Sequence, residues 1–207
     1  MEKLQSSFKN MVIVLFTITA IAATALGAVY EATKEPIAVA KALKQQEAIK
    51  AVVPEFDNDP IAEATEHEVD GGIIKIFPAK KDGKIVGNAI ETFTNSGFSG
   101  LIKIMLGVDA EGKIINYSVL QHAETPGLGS KMQEWFTAKG DIRGMSAKTN
   151  NLTVSKDGGD IDAITAATIS SRAFLKAINL ALTTLEGNDT DAYAGATDVQ
   201  QDTTKVQ

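Results

Sequence analysis

The chain of 207 residues contains no cysteine. Disulfides, iron–sulfur clusters and thiolate sites are therefore excluded. Histidine is almost as scarce: His67 and His122 are the only two, and they lie far apart in sequence. A dedicated transition-metal site is not expected from so few imidazoles, and none is assigned. Any redox chemistry would then fall to an organic cofactor. Positive charge is also short, with 20 Lys and Arg against 26 Asp and Glu and a net charge of -6. Nucleic acid calls for clustered Lys and Arg, so it is not expected as a partner. No Gly-x-Gly-x-x-Gly follows a strand-like run, which leaves no dinucleotide-binding turn for NAD. What remains, at 44% hydrophobic content, can bury one real core and little more.

One long stretch lacks charge altogether. Met11 to Val29 reads MVIVLFTITAIAATALGAV. About 19 residues give roughly 28 Å of helix, enough to cross the hydrocarbon of a bilayer. Lys3 and Lys9 precede it, while Glu31 and Glu35 surround Lys34 after it. The lysine bias favours a cytoplasmic N-terminus, with the rest of the chain outside. Ala23-Thr24-Ala25 is also a passable small-x-small cleavage site, so a signal peptide is the competing reading. The apolar run continues past that site to Val29, which favours an uncleaved anchor. Either way, the remaining chain is expected across the membrane.

A second helix is expected to start at Thr33 or Glu35, with Pro36 in its first turn. Ile37, Val39, Ala40, Leu43, Ala48, Ile49 and Val52 supply its apolar face, and Pro54 ends it. Asp57-Asn58-Asp59-Pro60 reads as a solvated loop. From Gly72 the pattern turns strand-like, with Pro78 at an edge or a strand end. Lys81-Asp82-Gly83 and Asp109-Ala110-Glu111-Gly112 are turns, and Asn95 to Gly100 is a flexible loop. Strands joined by such short connections form an antiparallel meander. The two hairpins, Gly72–Thr94 and Leu101–Gln121, could also reflect an internal duplication. Ser130 is placed to cap a short helix holding Met132, Trp135 and Phe136, with Trp135 as a packing anchor. A short strand is read at Leu152–Val154. The fold class is α+β: one N-terminal transmembrane helix, then one domain of antiparallel hairpins packed with helices.

Two stretches concentrate chemistry. Asp162-Ala163-Ile164-Thr165-Ala166-Ala167-Thr168-Ile169-Ser170-Ser171 joins the Gly-rich loop at 156–160 to a helix. The helix is marked by Ala173, Phe174, Ala177, Ile178, Ala181 and Leu185, and Gly187 is the expected left-handed C-cap. The hydroxyls of Thr165, Thr168, Ser170 and Ser171 crowd the start of that helix. The unpartnered N–H groups and the dipole there favour a phosphate. Small Ala166 and Ala167 leave the backbone open to a bulky ligand. The second stretch, His122-Ala123-Glu124-Thr125-Pro126-Gly127-Leu128-Gly129-Ser130, is a strand end opening into a Pro- and Gly-shaped loop.

The run Asp-x-x-Thr-Ala-Ala-Thr with following serines resembles the flavin-attachment signature of the FMN-binding domain family. That family includes the G subunit of Rnf-type ion-translocating electron-transport complexes and the C subunit of the sodium-pumping NADH:quinone reductase. His-x-Glu-Thr-Pro-Gly-Leu-Gly resembles the family's other hallmark. The length and single anchor resemble the Rnf G subunit more. The resemblance implies FMN held covalently by a phosphoester to the last threonine of the signature, here Thr168. Where the family more often has Gly, this chain has Ala166. The resemblance further implies a cofactor site of Glu124, Thr125, Gly127, Leu128, Gly129, Thr165, Ala166, Ala167 and Ile169. Asp162, with Thr165 and Thr168, would be recognised by a separate flavin transferase. Ser170 and Ser171 would be caps or phosphate neighbours. No catalytic role is carried over to His122 or any other side chain.

On this resemblance the chain relays electrons through FMN in a membrane complex that couples ferredoxin- or NAD-type electron transfer to ion movement. Its partners would be the other membrane subunits, the transferase during maturation, and the lipid bilayer. The expected layout is a cytoplasmic segment at 1–10 and a transmembrane helix at 11–29. A juxtamembrane helix at 30–56, an FMN-binding domain at 57–187 and a disordered tail at 188–207 follow. The location is the inner membrane, single-pass, with the FMN domain on the periplasmic or outer side. A stand-alone anchored flavoprotein reductase, or a cofactor-free anchored binding or scaffold module, are the alternatives.

Overall fold

The computed structural model describes residues 8–194. The chain divides between Lys44 and Gln45 into two compact units. The first holds most of helix α1 (Phe8–Val52). Its apolar window has a mean hydropathy of 2.4 and none of it is buried, so this helix is long and apolar enough to cross a membrane. Thr17, Thr19 and Thr24 turn their hydroxyls back onto carbonyls one turn earlier, at Ile13, Leu15 and Ala20. That satisfies the only polar side-chain groups in the run without water.

The sequence led us to expect two helices here; the structure has one. Pro36 lies inside α1. A proline removes one i→i−4 hydrogen bond and crowds the preceding turn. Ala, Lys and Glu on both sides are strong helix formers and keep the helix going. Residues 1–7 of the expected cytoplasmic segment lie outside the described residues, and residues 8–10 already belong to the helix.

The second unit is a five-stranded antiparallel meander in the order β1-β2-β3-β4-β5. The strands are β1 (Thr65–Val69), β2 (Gly72–Lys81), β3 (Lys84–Gly97), β4 (Gly100–Val108) and β5 (Ile114–Gln121). β1 is not marked in the sequence, because its residues Thr-Glu-His-Glu-Val carry almost no apolar signal. The turn between β2 and β3 has both Asp82 (φ 51°) and Gly83 (φ 74°) in the left-handed region. That is the primed geometry that suits the twist of a hairpin. Pro78 sits inside β2, yet β1 pairs only with Gly72 to Ile76. Past that point β2 has no strand on one side, so a residue without an N–H is accommodated. The 57–59 loop covers this free side. Asp57 N–H donates to the Lys80 carbonyl at 2.8 Å, and Asn58 bonds both Lys80 N–H and the Pro78 carbonyl at 2.9 Å.

Both faces of the sheet are buried, so neighbouring residues such as Ile76-Phe77 and Ile104-Met105-Leu106 are all inside. One face packs Phe77, Ala89 and Met105 against Ala48, Ile49 and Val52 at the end of α1. The approach there is close: a Cβ on Gly107 would sit 1.9 Å from the Val52 carbonyl oxygen. The other face packs Ile74, Ile90, Ile104 and Leu106 with helix α3 (Thr168–Ala194), through Phe174, Ile178, Ala181 and Leu185. The Thr92 hydroxyl donates to the Ala177 carbonyl at 2.9 Å within this layer. Gly187 does not end α3. Its interior cost of about 1 kcal/mol is too small to stop a helix that no proline follows. Residues 188–194 of the expected tail are therefore helical, and residues 195–207 lie outside the described residues. No strand forms at Leu152–Val154; Val154 makes a single parallel bridge to Ile161.

Between β5 and α3 the chain is mostly irregular, with a short helix α2 (Met132–Trp135). Ser130 does not cap it; its hydroxyl accepts the Gly127 N–H at 2.9 Å instead. Trp135 Nε1 donates to the Asp162 carbonyl at 2.8 Å, which anchors the segment leading into α3. Tyr117 pins α2 to the sheet. Its hydroxyl donates to the Met132 carbonyl at 2.6 Å and accepts the Phe136 N–H at 3.2 Å. Its ring packs edge-on to Phe174, 4.9 Å between centroids. Burial pushes the Tyr117 hydroxyl up to about 12. Tyr117→Phe would remove both hydroxyl bonds in a buried site, and should cost about 1–3 kcal/mol in urea unfolding. Because the folded value is raised, the protonated hydroxyl stabilises the fold fully below pH 10, and this is lost as pH rises toward 12. The wild type should lose about 2–3 kcal/mol across that window, and the Phe variant should not.

Candidate functional site

The start of α3 and the loop after β5 face each other across a cleft of about 330 Å³. Phe98, Glu124, Thr125, Leu128, Gly129, Ala166, Ala167, Thr168, Ile169 and Ser170 line it. The two stretches that the sequence singles out, one after β5 and one before α3, thus meet in space. Gly127, Thr165 and Asp162 are not among the lining residues. Gly127, at φ 75°, shapes the loop. Thr165 is exposed on the turn before the helix. Asp162 is exposed on the approach to that turn, its carboxylate accepting the Ser155 hydroxyl at 3.3 Å.

Several bonds fix the helix start. The Ala167 carbonyl accepts the Ser171 N–H at 3.0 Å, which makes Ala167 the N-cap. Buried Ser171 also turns its hydroxyl onto that carbonyl at 3.0 Å and accepts the Ile164 N–H at 2.9 Å. Ser171 is therefore a structural tie rather than a group facing a ligand. The N–H groups of Thr168, Ile169 and Ser170 precede the first intrahelical bond and have no acceptor within the helix. Thr168 is half-buried at the first helical position and lines the cleft. Ala166 adopts φ 62°, the left-handed region that favours glycine. The turn presenting Thr168 is thus built on a conformation an alanine adopts only at a cost.

Glu124 forms the floor. It is 4% exposed, and it is the only carboxylate among the buried polar residues described. One carboxylate oxygen accepts the Ser99 N–H at 2.9 Å, and the other accepts the Ser170 hydroxyl. Two glycines leave room for it. A Cβ on Gly97 would sit 2.7 Å from Oε1, and one on Gly129 would sit 2.6 Å from Oε2 and 2.5 Å from Ser170 Oγ. His122 supports the same loop, its Nδ1 accepting the Glu124 N–H at 3.2 Å.

No Lys or Arg lines the cleft. The cations on the following turns of α3 are engaged elsewhere. Arg172 makes two 2.7 Å bonds to Asp157, which hold that carboxyl below its ordinary value. Lys176 donates to the Ser96 hydroxyl at 3.2 Å. Among the described residues no group of three or more His, Asp or Glu comes together to hold a metal. Phe98 and the Ser170–Glu124 contact were not anticipated. An aromatic residue between Gly97 and Ser99 in a hairpin tip was the available signal for the first. The second joins residues 46 apart and had none.

Two substitutions test this geometry. Ala166→Gly removes the left-handed penalty and should stabilise the domain by about 1 kcal/mol in urea unfolding. Gly129→Ala drives a methyl into the Glu124 carboxylate and the Ser170 hydroxyl. It should cost about 1–3 kcal/mol by the same measurement.

Residues 97–183 match the FMN-binding domain family. The matched span opens at the hairpin tip carrying Phe98 and includes both walls of the cleft. The chain is 33% identical over 189 residues to the G subunit of the ion-translocating oxidoreductase complex of Shewanella amazonensis, covering 86% of this chain and 87% of that protein. It is 34% identical over 163 residues to the corresponding G subunit of Escherichia coli strain K12, covering 74% and 79%. It is 36% identical over 156 residues to that of Haemophilus influenzae strain PittEE, covering 70% and 74%. With this likeness running through most of its length, and an FMN-binding domain at the cleft, the chain belongs to the family of ion-translocating oxidoreductase complex G subunits.

Proposed function

We propose that this chain is a covalently flavinylated electron carrier in an Rnf-type membrane complex, with FMN esterified to Thr168. The observation that carries the reading is the position of Thr168. Its hydroxyl-bearing side chain lines a cleft at a helix start where three N–H groups lack helical acceptors. Such a site suits a phosphate oxygen. The cleft also lacks any cation, and the one ionisable group lining it is Glu124. A free FMN phosphate carries about two negative charges near neutral pH and would find no ion pair here. A phosphodiester carries one charge and needs none to stay in place, so the donor set fits a covalently held flavin better than a diffusible one.

Attachment is a transfer reaction that a separate flavin transferase would catalyse. The Thr168 oxygen bonds to the FMN phosphorus of FAD, the anhydride bond breaks, AMP leaves, and the threonine proton is released. The left-handed turn at Ala166 leads directly into Thr168 at the first helical position. Exposed Asp162 and Thr165 lie on the approach, where an enzyme reading the segment would touch them. Once bound, the isoalloxazine supplies electron transfer. The protein supplies attachment, orientation and the walls of the cleft.

We further infer that α1 anchors the chain in the inner membrane, with its N-terminus in the cytoplasm and the FMN domain on the outer side. There the flavin would pass electrons between neighbouring subunits that couple ferredoxin- or NAD-type redox chemistry to ion movement. Intact mass measured after co-production with a flavin transferase tests the attachment. Wild type should gain the mass of one FMN residue, and Thr168→Ala should gain none. A Thr168→Ala chain that still carries covalent flavin overturns the assignment.

A further inference from the structure

Phe98 is 67% exposed, in a position where exposure is not the result of slack. It sits at the tip of the β3–β4 hairpin, between Gly97 and Ser99. Three contacts hold that tip. Ser99 N–H donates to buried Glu124, Lys176 reaches the Ser96 hydroxyl, and Gly97 pairs with Gly100. Gly97 admits no side chain: a Cβ there would lie 2.3 Å from the Gly100 carbonyl oxygen. The hairpin thus presents a large aromatic side chain from a fixed backbone.

What Phe98 lines is the cleft that contains Thr168. Two other large apolar side chains line the same cleft and are also exposed: Ile169 at 51% and Leu128 at 40%. Three such groups line one opening, so this apolar exposure is gathered at the cleft rather than scattered over the surface. The rim adjoins the half-buried attachment threonine, and no cation lies within it. A flat, largely uncharged ring system tethered at Thr168 fits that chemistry. Aromatic rings gain from offset or edge contacts with such a system.

We propose that Phe98 is a wall of the flavin site and covers the isoalloxazine ring of FMN held at Thr168. This rests on the attachment reading above, and it assigns a flavin contact to a residue outside both sequence motifs. Leu128 and Ile169 complete the rim, so the ring is shielded on the hairpin side. Because Phe98 is at the surface, its removal leaves the core untouched.

The test uses the full chain in detergent after co-production with a flavin transferase, with iodide quenching of flavin fluorescence as the readout. Intact mass first establishes that FMN is present. Phe98→Ala should raise the iodide quenching constant severalfold and brighten the flavin. Phe98→Tyr should behave as wild type, and Ile85→Ala, an exposed residue outside the cleft, should change nothing. An FMN-bearing Phe98→Ala chain with the wild-type quenching constant overturns this inference alone. A difference seen only in the assembled complex also overturns it, since the rim would then be covered by a neighbouring subunit. A wild-type chain without FMN removes the attachment reading and this inference together.

Discussion

Glu124 buries a carboxyl group where three separate segments of chain meet. Leaving such a group unpaired in the interior would be costly, so its hydrogen bonds are structural requirements. Ser99 brings in the β3–β4 hairpin, and Ser170 brings in the first turn of α3. Gly97 and Gly129 are small because the carboxyl group occupies the space their side chains would fill. The cleft exists because these segments close around one acidic group and leave Thr168 beside it.

The remainder of the domain serves that junction. α3 is held from Phe174 to Leu185 against the sheet, and by Ser171 at its start. A helix fixed at both places cannot turn about its axis, so Thr168 keeps its direction. Tyr117 ties α2 to the end of the sheet, and Trp135 ties the loop before α3 to α2. The irregular stretch between β5 and α3 is thus ordered by a few side-chain bonds rather than by regular structure.

Much of this was legible in the residues. The apolar run at 11–29, the hairpin turns, the start of α3 and the loop after β5 each carry a local signal. That the two loops share one cleft followed only from resemblance, and the structure supplies it. Where local rules failed, they failed for a common reason. Pro36 and Gly187 read as breaks, but each costs less than the helix around it gains. β1 was missed because Thr65 to Val69 is polar on an edge and is specified by its pairing with β2, not by periodicity. Phe98 and the Ser170–Glu124 bond depend on contacts distant in sequence, which no window of a few residues reveals.

The clamp of Asp57 and Asn58 on the far half of β2 has its own consequence. A sheet flank with unclaimed N–H and carbonyl groups invites a strand from another molecule. Here β1 is too short to cover the flank, and a proline makes part of it unable to donate. The loop supplies a side-chain amide that imitates a peptide group and occupies the vacant positions. A strand from a second molecule is thereby kept from pairing with the sheet at this flank.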